Sequence, residues 1–387
     1  MTQPLRFDCM HFMPYAHLPE NHRDYKSLSV DFSNKHYDPA KGHALYQRYL
    51  SELVLADQLG FDGIAINEHH NTVYSMMATP NIIAAALVPQ TKRARICVFG
   101  VPPTLMLPVR LAEEYATLDV MSNGRLEVAF PLGTGMEYWS NPVNPATARE
   151  RFRESLKIIL QAWTTDGPTT HYGTHYTYRF LNPWPRPMQQ PHPPCYIVGT
   201  GSPETIDLAA QYGFGYASAF VPQVRTHELI QTLRQRAKDY GHTLRSDQFP
   251  ILSFIYVAES DEIARQEYLP HLKAFFQDYV RVTPQFLAPP GYLSVDQLKI
   301  RMGSADKMHG GFDLDQISKS FFIAIGSAQT VIDKIKHWTE WLGSSHINAV
   351  LHVGDMPHWK TVKNITLFAE EVIPRMRQQT AQRVAAE

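Results

Sequence analysis

Short apolar runs alternate along the chain with longer segments whose apolar residues recur at helical spacing. The clearest helical segment has apolar residues at positions 45, 49, 53 and 56, spaced four, four and three residues apart, which makes one apolar face. Asp38-Pro39 predicts where this helix begins, because proline is tolerated at the first helical position. Gly60 predicts where it ends, because glycine readily adopts the left-handed conformation of a helix cap.

The apolar runs predict strands, and the periodic segments between them predict helices. We expect strands at residues 5–12, 61–67, 94–101, 125–131, 195–198, 215–221, 249–259 and 347–353. We expect further helices at residues 81–87, 108–118, 146–163 and 359–376, two more after Ser202 and Gly326, and a small hairpin at 172–180. This alternation indicates a parallel sheet covered by helices. Periodicity alone leaves open whether the sheet closes into a barrel.

One long segment, residues 268–322, interrupts the alternation and is rich in aromatic residues, glycine, methionine and proline. Such a stretch within a compact domain is usually a functional insertion or a lid. Its larger apolar residues include Phe275, Phe276, Tyr279, Phe286, Tyr292, Met302 and Met308. These side chains suit either the roof of an apolar pocket or a satellite core beneath a long loop. Because no linker composition divides the chain, we expect one domain spanning residues 1–387.

Composition narrows the function classes. The chain has a net charge of −1 and no basic stripe interleaved with aromatic residues, so we expect no nucleic-acid binding. The N-terminus lacks a basic region followed by an apolar core, and the apolar runs are too short to span a bilayer, so we expect a cytoplasmic protein that does not bind membranes. The three cysteines, Cys9, Cys97 and Cys195, form no CxxC pair and are expected to be buried thiols.

Chemistry is expected at the carboxyl ends of the strands, where α/β folds place their active sites. The second predicted strand ends in Asn67-Glu68-His69-His70. His69 could act as an acid, a base or a hydrogen-bond donor, with Glu68 orienting a neighbour. A structural polar cluster is the alternative. Adjacent histidines point in different directions and have no HxxxH or HxH partner nearby, so we predict no metal site.

Two glycine-rich turns follow later strands. Gly133-Thr134-Gly135 is either an ordinary turn or a loop that lets the backbone approach a ligand closely. Gly199-Thr200-Gly201-Ser202 directly precedes a helix start, where free N–H groups and the helix dipole can cradle a phosphate. Ordinary helix capping by Ser202 is the alternative there. The sequence has no GxSxG, Walker, HExxH or paired CxxC motif.

Taken in order, these motifs resemble those of the luciferase-like, flavin-dependent monooxygenases over nearly the whole chain. The matching pieces are LGFDG at 59–63, NEHH at 67–70, PVRLAE at 108–113, LD at 118–119 with GR at 124–125, GTGMEY at 133–138, RERF at 149–152, NPWPRP at 182–187, GTGSPET at 199–205 and residues 368–374. Each piece is modest, but their joint order is specific for the family. That order does not specify a substrate.

The resemblance implies a fold, a cofactor and partners. The fold would be an α/β protein with a (β/α)8 TIM-type barrel, commonly a homodimer, with the 268–322 insertion over its C-terminal face. The cofactor would be flavin mononucleotide (FMN). A separate flavin reductase would supply it in reduced form, and the enzyme would use it with O2 to oxygenate a mostly apolar organic substrate.

The resemblance also assigns site residues. His69 matches the family's catalytic histidine, and Glu68 precedes it; the implied role of His69 is to stabilise the oxygenated flavin by hydrogen bonding. The residues expected to bind the cofactor are Asn67, Gly100, Val101, Gly133, Gly199, Thr200, Gly201, Ser202 and Thr205. Among these, the turn from Gly199 to Ser202 together with Thr205 would hold the phosphate.

One position departs from the family's pattern. Many relatives have an arginine directly before the glycine that matches Gly133, whereas this chain has Leu132. Loss of a charge-assisted contact would weaken flavin binding unless another cation, such as Arg149 or Arg151, replaces it. Two alternatives stay open: a deazaflavin-dependent hydride-transfer oxidoreductase of the same fold, and a flavin-binding or flavin-free protein without turnover.

Overall fold

Nine parallel strands and a separate hairpin make up the β-structure of the described chain. The computed structural model describes residues 3–293 and 313–386, with side chains up to residue 379; the predicted pocket residues Met302 and Met308 lie outside this part. The strands are β1 (Arg6–Met10), β2 (Gly63–Ile66), β3 (Arg95–Phe99), β4 (Leu126–Pro131), β5 (Thr169–Tyr172), β6 (Thr177–Leu181), β7 (Cys195–Gly199), β8 (Gly215–Ser218), β9 (Ile251–Val257), β10 (Phe322–Gly326) and β11 (His346–Val350).

Eight of the parallel strands close into a ring. Their order is β1-β2-β3-β4-β7-β8-β9-β11, and β11 pairs back onto β1. This confirms the (β/α)8 barrel that the resemblance implied and answers the question that periodicity left open. The hairpin prediction is also confirmed, since β5 and β6 pair antiparallel to one another.

The joints of the ring, which are the hydrogen-bonded pairings between neighbouring strands, are unequal in length. The joint between β1 and β11 contains five residue pairs, whereas β8 and β9 pair directly only at Ser218 and Ile251. Strand β10, which the sequence pattern did not predict, lies alongside β9 over its whole length. It therefore adds a ninth strand beside the ring.

Helices follow the barrel strands as the alternation predicted. They are α1 (Pro39–Leu59), α2 (Pro80–Leu87), α3 (Pro108–Met121), α4 (Ala148–Thr164), α5 (Pro203–Tyr212), α6 (Gln223–Asp239), α7 (Asp261–Ala274), α8 (Pro284–Leu287), α9 (Leu314–Ser320), α10 (Ala328–Leu342), α11 (His358–Leu367) and α12 (Ile373–Ala386). Among the described residues, none of these helices has both the length and the apolar character needed to cross a membrane.

The predicted ends of α1 are confirmed. The side chain of Asp38 accepts hydrogen bonds from the backbone N–H groups of Ala40 and Lys41, at 2.9 and 3.3 Å. Gly60 ends the helix in the left-handed region, with φ of +93°. Both signals were readable in the sequence because they depend on residues adjacent in the chain.

Two predicted segments differ in detail from the structure. The helix expected at 359–376 is divided into α11 and α12 by a π-helical segment, Phe368–Val372. The predicted insertion begins inside α7, which continues into a second π-helical segment, Phe275–Tyr279. A π-helical turn changes the hydrogen-bond spacing by one residue, which a 3.6-residue periodicity does not reveal.

A second apolar cluster, separate from the one that packs most helices on the barrel, joins strand residues such as Ala65 and Ala129 to side chains of the insertion. Phe275 and Phe276 of the insertion pack there, with ring centroids 5.7 Å from Phe12 and 5.4 Å from Phe254, respectively. These two side chains and Tyr279 are buried. Their packing favours the satellite-core interpretation over a pocket roof for this part of the insertion.

The N-terminal half of the barrel interior contains a buried network of charged side chains. Arg6 donates from Nε to Asp8 at 2.9 Å and from Nη1 to Glu127 at 2.7 Å. His346 Nε2 lies 2.8 Å from the second carboxylate oxygen of Asp8. Since Asp8 and His346 are fully buried, each charge depends on its partners in the network.

All three cysteines are buried free thiols, as the sequence predicted. Burial raises the pKa of each of them, which disfavours the reactive thiolate.

Candidate cofactor and active site

The C-terminal edge of the barrel brings together the segments that follow β2, β3, β4 and β7. His69, which follows β2, lies against Glu137, which follows β4: its Nδ1 is 3.0 Å from Glu137 Oε1. The second carboxylate oxygen of Glu137 accepts the Thr134 N–H at 2.6 Å. Tyr74 packs on His69 with a ring-centroid distance of 4.7 Å. His69 therefore lies in a defined environment, and its carboxylate partner is Glu137 rather than Glu68.

Glu68 forms a separate pair with His70, at 2.9 Å between Oε1 and Nε2. Burial raises the pKa of Glu68, and the hydrogen bond from His70 only partly offsets this. The same hydrogen bond raises the pKa of His70. The four-residue motif thus contains one complete acid–base pair, Glu68 with His70, and one member of a second pair, since His69 contacts Glu137. The neighbour that Glu68 contacts is therefore His70.

Asn67 is buried at the end of β2, and its Oδ1 has no hydrogen-bond partner among the described residues. An unpaired buried acceptor costs about 1–3 kcal/mol. A bound ligand with an N–H or O–H donor would recover this energy. The orphaned oxygen is therefore consistent with a cofactor at this edge of the barrel.

Gly100, which follows β3, and Gly133, which follows β4, have different roles. A Cβ on Gly100 would lie 1.8 Å from the carbonyl oxygen of Ala129, so a close approach to the neighbouring backbone requires glycine there. Val101 beside it is buried. Gly133 has φ of +94°, and its carbonyl oxygen accepts the hydroxyl of Tyr292 at 2.5 Å. Gly133 therefore links the turn after β4 to the insertion.

The turn after β7 has the geometry of a helix start. The Ser202 side chain accepts the Thr205 N–H at 3.3 Å and lies 3.0 Å from the Thr205 hydroxyl. Gly201 has φ of +85°, and its N–H donates to the hydroxyl of Tyr216 at 2.8 Å. Helix capping by Ser202 is thus present, and the Ser202 and Thr205 hydroxyls lie together at the N-terminus of α5.

A cavity of about 420 Å³ adjoins this turn. Its lining residues are Arg149, Ser202, Pro203, Glu204, Gly291, Tyr292 and Leu293. Its volume is in the range of small-molecule sites, which is about 300–1,000 Å³. Arg149 Nη1 lies 3.4 Å from Glu204 Oε2, and Arg153 forms a second ion pair with the same carboxylate. The cavity is therefore lined by the Ser202 hydroxyl, the N-terminus of α5 and the Arg149 guanidinium, which together can hold a phosphate once Arg149 leaves Glu204.

The two proposed substitutes for the missing arginine lie in different places. Leu132 lines a small cleft together with Arg149, Thr205 and other residues of this region. Arg151, in contrast, donates to the hydroxyl of Tyr176 at 3.3 Å and lies over its ring at 5.4 Å. Of these two arginines, Arg149 is therefore the one positioned to replace the charge that Leu132 lacks, in a cleft that Arg153 also lines.

A buried group of His11, Glu52 and His352 has ligand-type atoms within 4.8 Å of one another. His11 Nε2 lies 2.9 Å from Glu52 Oε2, and the guanidinium of Arg48 lies 2.8 Å from Glu52 Oε1 and 3.3 Å from His352 Nδ1. Burial lowers the pKa of both histidines. Because Arg48 already neutralises Glu52, a metal cation here would be poorly compensated. We interpret the group as a structural hydrogen-bond network.

Comparison with known proteins places these features in context. A family model described as luciferase-like monooxygenase matches residues 31–345. The oxygenase component of the flavin-dependent trigonelline monooxygenase of Acinetobacter baylyi is 25% identical over 349 residues, which cover 85% of this chain and 89% of that protein.

Two solved structures share the fold. The oxygenating constituent of 3,6-diketocamphane monooxygenase from Pseudomonas putida, a type II Baeyer–Villiger monooxygenase in complex with FMN, has a TM-score of 0.72 at 18% identity, covering 96% of this chain and 99% of its own. An F420-dependent secondary alcohol dehydrogenase, in complex with an F420–acetone adduct, has a TM-score of 0.69 at 18% identity, covering 95% and 98%.

Proposed function

Because this chain belongs to the luciferase-like monooxygenase family, we propose that it is the oxygenase of a two-component flavin-dependent monooxygenase. It would use reduced FMN and O2 to oxygenate a mostly apolar organic substrate. The observation that carries the proposal is the phosphate-type donor set beside the turn after β7. Ser202 and Arg149 line the cavity of about 420 Å³, and Thr205 lines a smaller cleft that shares Arg149 with it. A similar relative named as an oxygenase component supports a separate reductase partner.

Different residues at the barrel edge would bind the phosphate and transfer the proton. Ser202, Thr205, Arg149 and the turn from Gly199 to Gly201 would hold the phosphate of FMN, while Asn67 offers its free Oδ1 to a donor of the ligand. When bound, FMN supplies the redox chemistry with O2. His69, which contacts Glu137, would accept or donate a proton at the reacting centre. The second apolar cluster would limit the access of water to this part of the barrel.

The test is an anaerobic titration of the purified protein with oxidised and with reduced FMN, followed by addition of O2. We expect the reduced form to bind and O2 to be consumed. Once a substrate is found, His69→Ala should lower its oxygenation without lowering the affinity for FMN. If neither redox form of FMN binds, the proposal fails, and unchanged oxygenation by His69→Ala would refute the role of His69.

A second candidate is hydride transfer with the deazaflavin F420. The likeness in fold to an F420-dependent dehydrogenase favours it. The same titration with F420 separates the two candidates, because a deazaflavin enzyme should bind F420 and reduce or oxidise an organic substrate with no consumption of O2. Binding of a flavin without turnover in any screen would leave the third alternative, a non-catalytic protein.

The homodimer implied by the family resemblance is part of the proposal. Sedimentation equilibrium of the purified chain tests it directly, since a dimer has twice the mass of the 44.1 kDa chain.

A further inference from the structure

Two contacts fix the carboxylate of Glu137. Its Oε2 lies 2.6 Å from the Thr134 backbone nitrogen, and its Oε1 lies 3.0 Å from His69 Nδ1. A backbone N–H can only donate, so Oε2 is an acceptor. Glu137 is 1% exposed, and an ionised carboxylate accepts hydrogen bonds on both oxygens. Both contacts are satisfied together when His69 Nδ1 is protonated and its N–H donates a hydrogen bond to Glu137 Oε1.

The other ring nitrogen of His69 is differently placed. Nε2 has no hydrogen-bond partner among the described residues, and the His69 side chain retains 15% of its exposure. The ring itself is held by Tyr74, and its backbone N–H donates to Met77 at 3.2 Å. Nε2 is therefore the nitrogen that remains for a ligand at the barrel edge.

We propose that Glu137 is a positioning residue that fixes the tautomer of His69, so that neutral His69 presents the lone pair of Nε2 to the ligand and accepts a proton there. The inference rests on the proposed function for the identity of that ligand. It also changes the role implied by the resemblance. In this tautomer, neutral His69 cannot donate from Nε2, and it becomes a donor only after it has taken a proton.

The proton balance is simple. Nε2 takes the proton of a bound O–H or N–H group, whose electron pair stays on the donor atom. The resulting imidazolium is charge-compensated by Glu137, and it returns the proton from Nε2 in a later step. A buried carboxylate that orients a histidine and stabilises its charged form serves the same purpose in serine proteases.

The substitution Glu137→Gln gives a decisive test because the Thr134 N–H still requires an acceptor. The glutamine carbonyl should stay on Thr134, which leaves its amide NH2 facing His69 Nδ1. An amide NH2 can only donate. His69 Nδ1 must then become an acceptor, and its proton must move to Nε2. The expected result is an inverted tautomer without a change in the fold.

The measurement is NMR of the cofactor-free protein with 15N-labelled histidine rings, at about pH 9, well above the ordinary pKa of histidine. Loss of signals in His69→Asn assigns His69. We expect the wild type to show a protonated Nδ1 and an unprotonated Nε2, and Glu137→Gln to exchange the two signal types. Glu137→Asp keeps an acceptor next to the ring and should retain the wild-type pattern.

Glu68→Gln is the matched control, because it makes the same chemical change against His70 and should leave the His69 signals in place. An unprotonated Nδ1 in the wild type overturns the inference, as does a Glu137→Gln pattern identical to the wild type. FMN titration of the same samples is a separate readout. If FMN fails to bind while the tautomer pattern holds, the proposed function fails and the tautomer assignment stands.

Discussion

Arg149 is the residue on which phosphate recognition should depend in a chain that has Leu132 in place of arginine. Replacing it with methionine keeps an unbranched apolar stem and removes the charged guanidinium. A hydrogen bond to a charged group contributes about 1.5–3 kcal/mol. Arg149 must first leave Glu204, but that ion pair is about one-third exposed on both sides, so breaking it costs only about 0–1 kcal/mol. The net loss should be about 1–2 kcal/mol, or roughly 5–30-fold in Kd.

Comparison of FMN with riboflavin isolates the phosphate contribution. Arg149→Met should weaken FMN binding by the stated factor and leave riboflavin binding unchanged, because riboflavin has no phosphate. Arg151→Met is the control: it lies two residues along the same helix but contacts Tyr176, so its FMN affinity should match the wild type. Equal losses for FMN and riboflavin, or an unchanged Kd for FMN, would refute the assignment of Arg149 to the phosphate.

Three further outcomes are expected. Leu132→Arg should tighten FMN binding by roughly tenfold through a charge-assisted contact, and an unchanged Kd would show that position 132 does not face the phosphate. Gly100→Ala should lower the thermal midpoint strongly or prevent folding, because its Cβ would meet the backbone of Ala129 at 1.8 Å; a wild-type midpoint would contradict this close packing. Burial alone would raise the pKa of Asp8, but Arg6 and a neighbouring histidine hold it well below its usual range. Its stabilisation is therefore present above about pH 4 and lost as the pH falls. Asp8→Asn should cost about 3–5 kcal/mol at pH 7 in urea unfolding. The difference in unfolding free energy between Asp8→Asn and the wild type should decrease in acid. A difference that does not change with pH would show that the lowered pKa of Asp8 does not contribute to stability.

The parts of the fold that depend on neighbouring residues could be predicted from the sequence. The caps at Asp38, Gly60 and Ser202 are local signals, and the structure has all three. Strand β10 was missed because its apolar run follows an insertion without clear periodicity. What makes Phe322–Gly326 a strand is its pairing with β9, some seventy residues earlier, and composition carries no sign of such a partner.

The candidate site was also predictable where it depends on neighbouring residues and was missed where it depends on distant ones. The motif Asn67 to His70 and the turn Gly199 to Ser202 were predicted at the carboxyl ends of strands, and the structure has them there. Glu137 belongs to the GTGMEY motif, but the sequence did not predict it as the partner of His69. Only the closure of the barrel brings a residue 68 positions away into contact. The choice of Arg149 over Arg151 likewise required the direction in which each side chain leaves the helix.

The single residue pair between β8 and β9 has a consequence for how the barrel opens. Amide hydrogens are protected from exchange with solvent only as long as their local structure stays closed, and short joints open at the lowest free energy. The amides of β8 should therefore exchange faster than those of β1, whose two edges are paired over three and five residues. Strand β8 also contains Tyr216, whose hydroxyl holds the Gly201 N–H. A ligand bound at that turn should therefore slow amide exchange in β8, because it would stabilise the strand at the shortest pairing of the ring.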